Sequence, residues 1–177
     1  MNEKEKTCCC TGHRPKGFLW NYYDKNQSSQ QKYLQTLRGL ILSVIQRGAT
    51  HFISGGALGV DMDFTEIVLE LRKQNPAITL EIAVPCPNQT LKWSQKEKAR
   101  YQAIIEQADE VNTICDRYTD KCMIKRNRYM VDKSNYVIAV WNGKMKNGTY
   151  STLHYAEKKN KNVDIILLED FKKRNPL

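Results

Sequence analysis

Ile53-Ser54-Gly55-Gly56-Ala57-Leu58-Gly59-Val60-Asp61 is the stretch on which the fold turns. The apolar run His51-Phe52-Ile53 leads into it, and a helical spacing of apolar residues leaves it from Leu58. It reads as a strand-to-helix junction with three glycines in the turn and an aspartate just inside the helix. Glycine lets backbone approach a ligand closely and adopts φ > 0 without strain. A helix start adds free N–H groups and the positive end of a dipole, which together suit an anion. The spacing Gly55-Gly56-x-x-Gly59 is neither the dinucleotide fingerprint nor a P-loop. Two readings stand: one wall of a nucleotide-type pocket, or a tight turn that needs small residues. On the pocket reading, a valine at Gly56 blocks binding and spares the fold.

Outward from this junction the elements alternate. Residues 7–11, 50–54, 78–84, 111–115, 136–141 and 163–168 read as short strands. Residues 31–46, 58–74, 94–107, 122–134 and 149–160 read as helices. Ser94 and Glu97 have the spacing of a capping box, and Gly48 suits the end of the first helix. Residues 12–29, with Pro15, Gly17 and several aromatics, read as a loop, and 171–177 as a polar tail. Residues 136–141, Tyr-Val-Ile-Ala-Val-Trp, are apolar throughout, as a strand buried on both faces is. The pattern predicts an α/β fold: one Rossmann-like domain over residues 1–177, a mostly parallel sheet with helices on both faces.

The composition agrees. A chain of 177 residues, 41% hydrophobic and 27% charged, is long enough for a full core. Its apolar runs are too short for a membrane span. The start, Met1-Asn2-Glu3-Lys4-Glu5-Lys6, is charged and mixed in sign, unlike a signal peptide, so a cytoplasmic protein is expected. The six cysteines show no zinc-ligand spacing, and no metal is expected. They read as small buried residues in a reducing compartment, with Cys8 and Cys10 on one strand face and Cys9 on the other. The net charge of +9 admits nucleic acid. That partner is not favoured, because the charges spread along helices without interleaved aromatics.

Ligands of open parallel sheets bind outside the carboxyl ends of the strands, which selects the candidate loops. Thr11, Gly12, His13 and Arg14 place a hydroxyl, a flexible backbone and a permanent cation after the first strand. His13 is either a general acid or base or a hydrogen-bonding loop residue. Ser54, Gly55, Gly56, Ala57, Gly59 and Asp61 form the second loop; Asn142, Gly143, Gly148 and Thr149 form the third, leading into another helix. Trp93 either stacks a base or covers the helix that follows it. In residues 122–134, Arg126 shares a helical face with Met130, and Arg128 with Asp132. Arg126, next to Asn127, must then point into a site or find a partner, whereas Arg128 and Asp132 can form an ordinary exposed pair worth only a few tenths of a kcal/mol. The alternative is a basic solvated face.

Taken in order, Thr11-Gly12-His13-Arg14-Pro15, the Ile53 to Asp61 junction, Pro85-Cys86-Pro87, Arg126-Asn127-Arg128-Tyr129-Met130-Val131-Asp132, Ile138-Ala139-Val140-Trp141 and Gly148-Thr149 resemble the SLOG superfamily of Rossmann-like proteins. The likeness is closest to its YpsA-like branch. It implies a nucleotide or nucleotide-derived ligand, of the ADP-ribose, NAD or nucleoside monophosphate kind, bound at the strand carboxyl ends in a sensory or regulatory role. It implies no other cofactor. Homodimers are common in the superfamily. Its lonely-guy type phosphoribohydrolases carry Gly-Gly-x-Gly-Thr-x-x-Glu and an upstream arginine; here Arg126 matches the arginine, Gly148-Thr149 the Gly-Thr, and Thr152 stands where the glutamate would be. Hydrolysis of an N-glycosidic bond is therefore an alternative without an assigned catalytic group, its candidates being Asp61, Asp116, Asp120 and His13. Single-stranded DNA binding, as in the DNA-processing protein A type, is the second alternative.

Overall fold

The computed structural model describes residues 6–172; the charged start, 1–5, and the end of the polar tail, 173–177, lie outside the described residues. Strands β1 (Lys6–Gly12), β2 (Ala49–Ser54), β3 (Thr79–Val84), β4 (Glu110–Thr113), β5 (Tyr136–Trp141) and β6 (Asn162–Leu167) form one sheet. All its pairings are parallel, in the order β4-β3-β2-β1-β5-β6. Helices α1 (Ser28–Gln46), α2 (Val60–Arg72) and α3 (Gln95–Gln107) cover one face. Helices α4 (Cys122–Lys133) and α5 (Gly148–Lys158) cover the other. The predicted Rossmann-like α/β class is the one observed.

Period-two alternation sorts the core between the faces. Cys8 and Cys10 join Phe52, Phe64, Leu80 and Ile82 under α1 to α3, while Cys9 joins Ile53, Val137 and Met130 under α4 and α5. Burial pushes the Cys9 thiol up to about 12, as befits an inert packed sulfur. Strand β5 is buried along five of its six residues, as its apolar run predicts. The capping box of Ser94 and Glu97 is present, and Gly48 turns at φ +98 after α1.

Several segments differ in extent from their sequence pattern. Helix α2 begins at Val60 rather than Leu58, because Gly59 sits at φ 91, ψ −125, which no helical residue adopts. The loop after β1 is a packed cover: Phe18 meets the rings of Trp20, Tyr22 and Tyr33 at 4.9 to 5.4 Å. Its anchor is Asp63, which accepts from Tyr22 Oη, Tyr33 Oη and Arg100 Nη2, each at 2.9 Å. The tail opens with a short helical turn, Leu168–Phe171, in which Leu168 is buried.

The chain steps outward from β1 to β4 and then returns to place β5 on the other side of β1. The strand order therefore reverses between β1 and β5, and the loops after them diverge to leave a crevice. Among the described residues no helix is long and apolar enough to cross a membrane.

Candidate functional site

A cavity of about 260 Å³ opens at this reversal. Thr11, Gly12, His13 and Arg14 come to it from the end of β1, Ala57 and Asp61 from the glycine junction, Arg126 and Asn127 from α4, and Gly148 and Thr149 from the start of α5. The remaining wall is apolar: Cys10, Met123 and Met130. Four loops or helices that are remote in sequence thus converge on one space.

The junction that opens the site is largely satisfied by its own chain. The Gly56 N–H donates to Ser54 Oγ at 3.2 Å, the Ala57 N–H to Asp61 Oδ2 at 3.2 Å, and the Val60 N–H to the His13 carbonyl at 3.1 Å. Ser54 is fully buried and donates to the Asp61 carbonyl at 3.1 Å. The turn before α2 is thereby bonded within the chain, while the N–H groups of Asp61 and Met62 in the first turn of the helix have no partner among the described residues. Asp61 is the acid that lines the cavity. Burial pushes its carboxyl pKa up, against the opposing pull of Arg126, the Ala57 N–H and Arg14.

Arg126 is buried, as its place on the apolar side of α4 requires. Its Nη1 donates to the Gly55 carbonyl at 2.7 Å and its Nε to Asn127 Oδ1 at 2.8 Å. Gly55 is glycine for want of space: a Cβ there would stand 2.0 Å from Arg126 Nη1. Gly56 does not face the cavity. At φ +64, its Cβ would meet Ile82 and Tyr101 at 3.1 Å, on the α3 side of the sheet. A valine at Gly56 is therefore expected to strain the fold rather than to spare it.

His13 is buried, and its Nε2 accepts the Asn142 N–H at 3.0 Å. Burial, helped by Lys144, lowers its pKa to about 4. A neutral imidazole whose lone pair is already engaged is poorly placed for acid–base work at neutral pH. Asn142 braces its loop through Gly17, Lys144 and Asn147, and Gly143 makes the turn at φ +84; neither lines the cavity. Trp93 lies edge-on to Tyr101 of α3 at 5.4 Å, away from the cavity, so it covers the helix that follows it. Asp116 and Asp120 are exposed and also lie outside it. The expected Arg128–Asp132 pair is replaced by Tyr155: Arg128 lies over its ring at 5.2 Å, and Asp132 accepts from its hydroxyl at 2.8 Å.

The start of α5 brings its donors to the cavity through Gly148 and Thr149. Asn147 caps it, accepting from the Tyr150 N–H at 2.9 Å. The N–H groups of Gly148 and Thr149 have no partner among the described residues. The hydroxyls of Thr11 and Thr149 have none either, and both residues open onto the cavity. Arg14 is exposed at the mouth, without a carboxylate among the described residues. The site therefore offers two hydroxyls, two backbone donors and a cation to something outside the chain. Among the described residues no cluster of three or more His, Cys, Asp or Glu side chains is placed to hold a metal ion.

A model of the YspA SLOG family matches residues 8–171. The chain belongs to that family. Its similar relatives include the uncharacterized SPbeta prophage-derived protein YoqJ of Bacillus subtilis, 35% identical over 139 residues, which cover 69% of this chain and 81% of YoqJ. The UPF0398 protein SERP1017 of Staphylococcus epidermidis is 28% identical over 172 residues, 93% of this chain and 90% of its own. The UPF0398 protein of Bacillus pumilus is 26% identical over 138 residues, 77% and 73%.

The position that resemblance to the phosphoribohydrolases assigns to a glutamate holds Thr152. Thr152 lies one turn into α5, turned away from the central cavity, and its Oγ1 donates back to the Gly148 carbonyl at 2.8 Å. The apolar wall was missed by residue-type reasoning. Its signal was helical spacing: Met123 and Met130 lie three and four residues from Arg126 and share its face.

Proposed function

We propose that the chain binds a nucleotide or nucleotide-derived ligand at the β1/β5 reversal, in a sensory or regulatory role. The observation that carries this is the unpartnered donor set: the Thr11 and Thr149 hydroxyls, the Gly148 and Thr149 N–H groups, and Arg14, all around one cavity. Such donors suit a phosphate, with the start of α5 adding its dipole. Asp61, a buried acceptor in a ring of donors, suits a ribose hydroxyl. Six free cysteines fit a reducing, cytoplasmic setting. Homodimerisation belongs to the same reading and is checked by sedimentation.

A second reading, N-glycosidic hydrolysis, rests on Asp61 as the cavity's carboxyl group with a raised pKa. One experiment addresses both. Purified protein is melted with AMP, ADP-ribose, NAD or a short single-stranded oligonucleotide, and free base is assayed in parallel. At a hundredfold excess over Kd, a ligand adds about 2.7 kcal/mol, or about 5–10 °C for a chain of this size. The shift should vanish in Arg14→Ala and Thr149→Val. A salt-sensitive shift with the oligonucleotide alone overturns the nucleotide reading. Base release that Asp61→Asn abolishes establishes the hydrolase.

A further inference from the structure

A second void, about 210 Å³, lies between α4 and α5. Met123, Asn127 and Gly148 line both it and the central cavity, so the two spaces share a wall. Each alone is smaller than the ~300–1,000 Å³ typical of small-molecule sites; joined, they fall within that range.

The crevice has its own chemistry. Arg128 from α4 and Lys158 from α5 line it, and neither has a carboxylate partner among the described residues. Of the acids beside them, Asp132 accepts from Tyr155 Oη, and Glu157 lies outside the crevice lining. Arg128 rests on the Tyr155 ring, which orients the guanidinium while leaving its N–H fork open. The Ser151 hydroxyl on the same wall has no partner among the described residues. No Asp or Glu lines the crevice. A planar guanidinium, an ammonium and a hydroxyl around one void match a phosphate group.

We propose that the α4–α5 crevice is a second subsite of the same site, and that it takes a second, separated phosphate of the nucleotide-type ligand. The inference rests on the nucleotide reading above. It names the ligand class as a bisphosphorylated nucleoside or a short dinucleotide, with one phosphate at the start of α5 and the other between Arg128 and Lys158.

The test uses calorimetric titration of the full chain with AMP, adenosine 3′,5′-bisphosphate and the dinucleotide pApA. It compares the natural protein with the double variant Arg128→Gln, Lys158→Gln. Both residues are exposed, so the variant should keep its melting temperature, which is measured first. The expected result is that at least one two-phosphate probe binds more than tenfold tighter than AMP to the natural protein. That advantage should fall below about twofold in the double variant, while AMP affinity changes less than twofold, and added salt should shrink it. If AMP binds and neither two-phosphate probe has an advantage, the subsite is refuted while the nucleotide reading stands. An advantage that survives the double substitution refutes it equally. If no probe binds, the subsite is refuted, and the nucleotide reading is decided by the melting series with ADP-ribose and NAD.

Discussion

Alanine at position 55 is a small change with a large expected effect. Its methyl carbon would stand 2.0 Å from Arg126 Nη1, 2.5 Å from Cζ and 2.7 Å from Asp61 Oδ2, all well inside contact distance. The backbone is no obstacle, because Gly55 is not among the positive-φ residues, and alanine there gains about 0.4–1 kcal/mol through the unfolded state. What must yield is the guanidinium. It loses its 2.7 Å hydrogen bond to the Gly55 carbonyl, a buried charged contact of about 1.5–3 kcal/mol. The crowded Asp61 carboxylate adds to this, so a net loss of about 2 kcal/mol is expected, or about 4–8 °C. Arg126→Ala alone should cost about 3 kcal/mol, since it leaves the Gly55 carbonyl without its buried charged donor and removes the stronger of the two cationic pulls on buried Asp61. In the double variant the methyl occupies the space the guanidinium left, so adding Gly55→Ala should then cost less than about 0.5 kcal/mol. Urea denaturation of the four proteins at pH 7 measures the cycle. If the two losses add within about 0.5 kcal/mol, Gly55 is not glycine on account of Arg126.

Three further outcomes are expected. His13, with its pKa lowered to about 4 in the folded chain, binds fewer protons than the unfolded chain between pH 6.5 and 4. Stability should therefore be full above pH 6.5 and fall by about 2 kcal/mol toward pH 4, discounting for the ring's residual solvent contact; a His13→Asn variant with the same pH slope as the natural protein would contradict this. Glu81 is buried without exposure on β3, and burial alone would raise its pKa; His51, Tyr129, Asn112 and Lys133, all bonded to it, instead bring it down to about 2. Its stabilisation is present above pH 4.5 and lost as pH falls toward 2, and Glu81→Gln should cost about 3 kcal/mol at pH 7 by urea titration, a loss below 1 kcal/mol counting against it. Gly56→Val should unfold the chain, seen as loss of the cooperative melt, because a β-branched residue at φ +64 meets Ile82 and Tyr101; a folded variant that merely fails to bind would restore the pocket reading of that residue.

The fold was legible where one physical signal dominated. Residues 136–141 match β5 end to end because an all-apolar run flanked by polar residues leaves little choice of register. Strand β4 lies one to two residues earlier than its apolar residues suggest, since it is an edge strand of mostly exposed residues, which burial barely constrains. At the site, Arg126 was legible because a cation on an apolar helix face has few places to go. Gly56 was not, because sequence says which loop a residue occupies but not which side of the sheet it faces; for Trp93 sequence left two readings, and the cover over the following helix is the one observed. The Glu81 cluster went unread as well. Its signal was a carboxylate in the middle of the apolar strand Thr79–Val84, whose partners, spread over β2, β4 and α4, meet only in the folded chain.

His13 joins both sides of the strand reversal. Its carbonyl holds the Val60 amide of α2, and its ring holds the Asn142 amide after β5. One residue thus rivets the two halves of the sheet at the mouth of the crevice, so the chain itself sets the width of that mouth. Recognition by such a mouth sheds little loop entropy. The same rivet gives each half a way to sense the other: amide exchange at Asn142 should slow when a ligand engages donors on the far side of the crevice, and His13→Ala should uncouple that response.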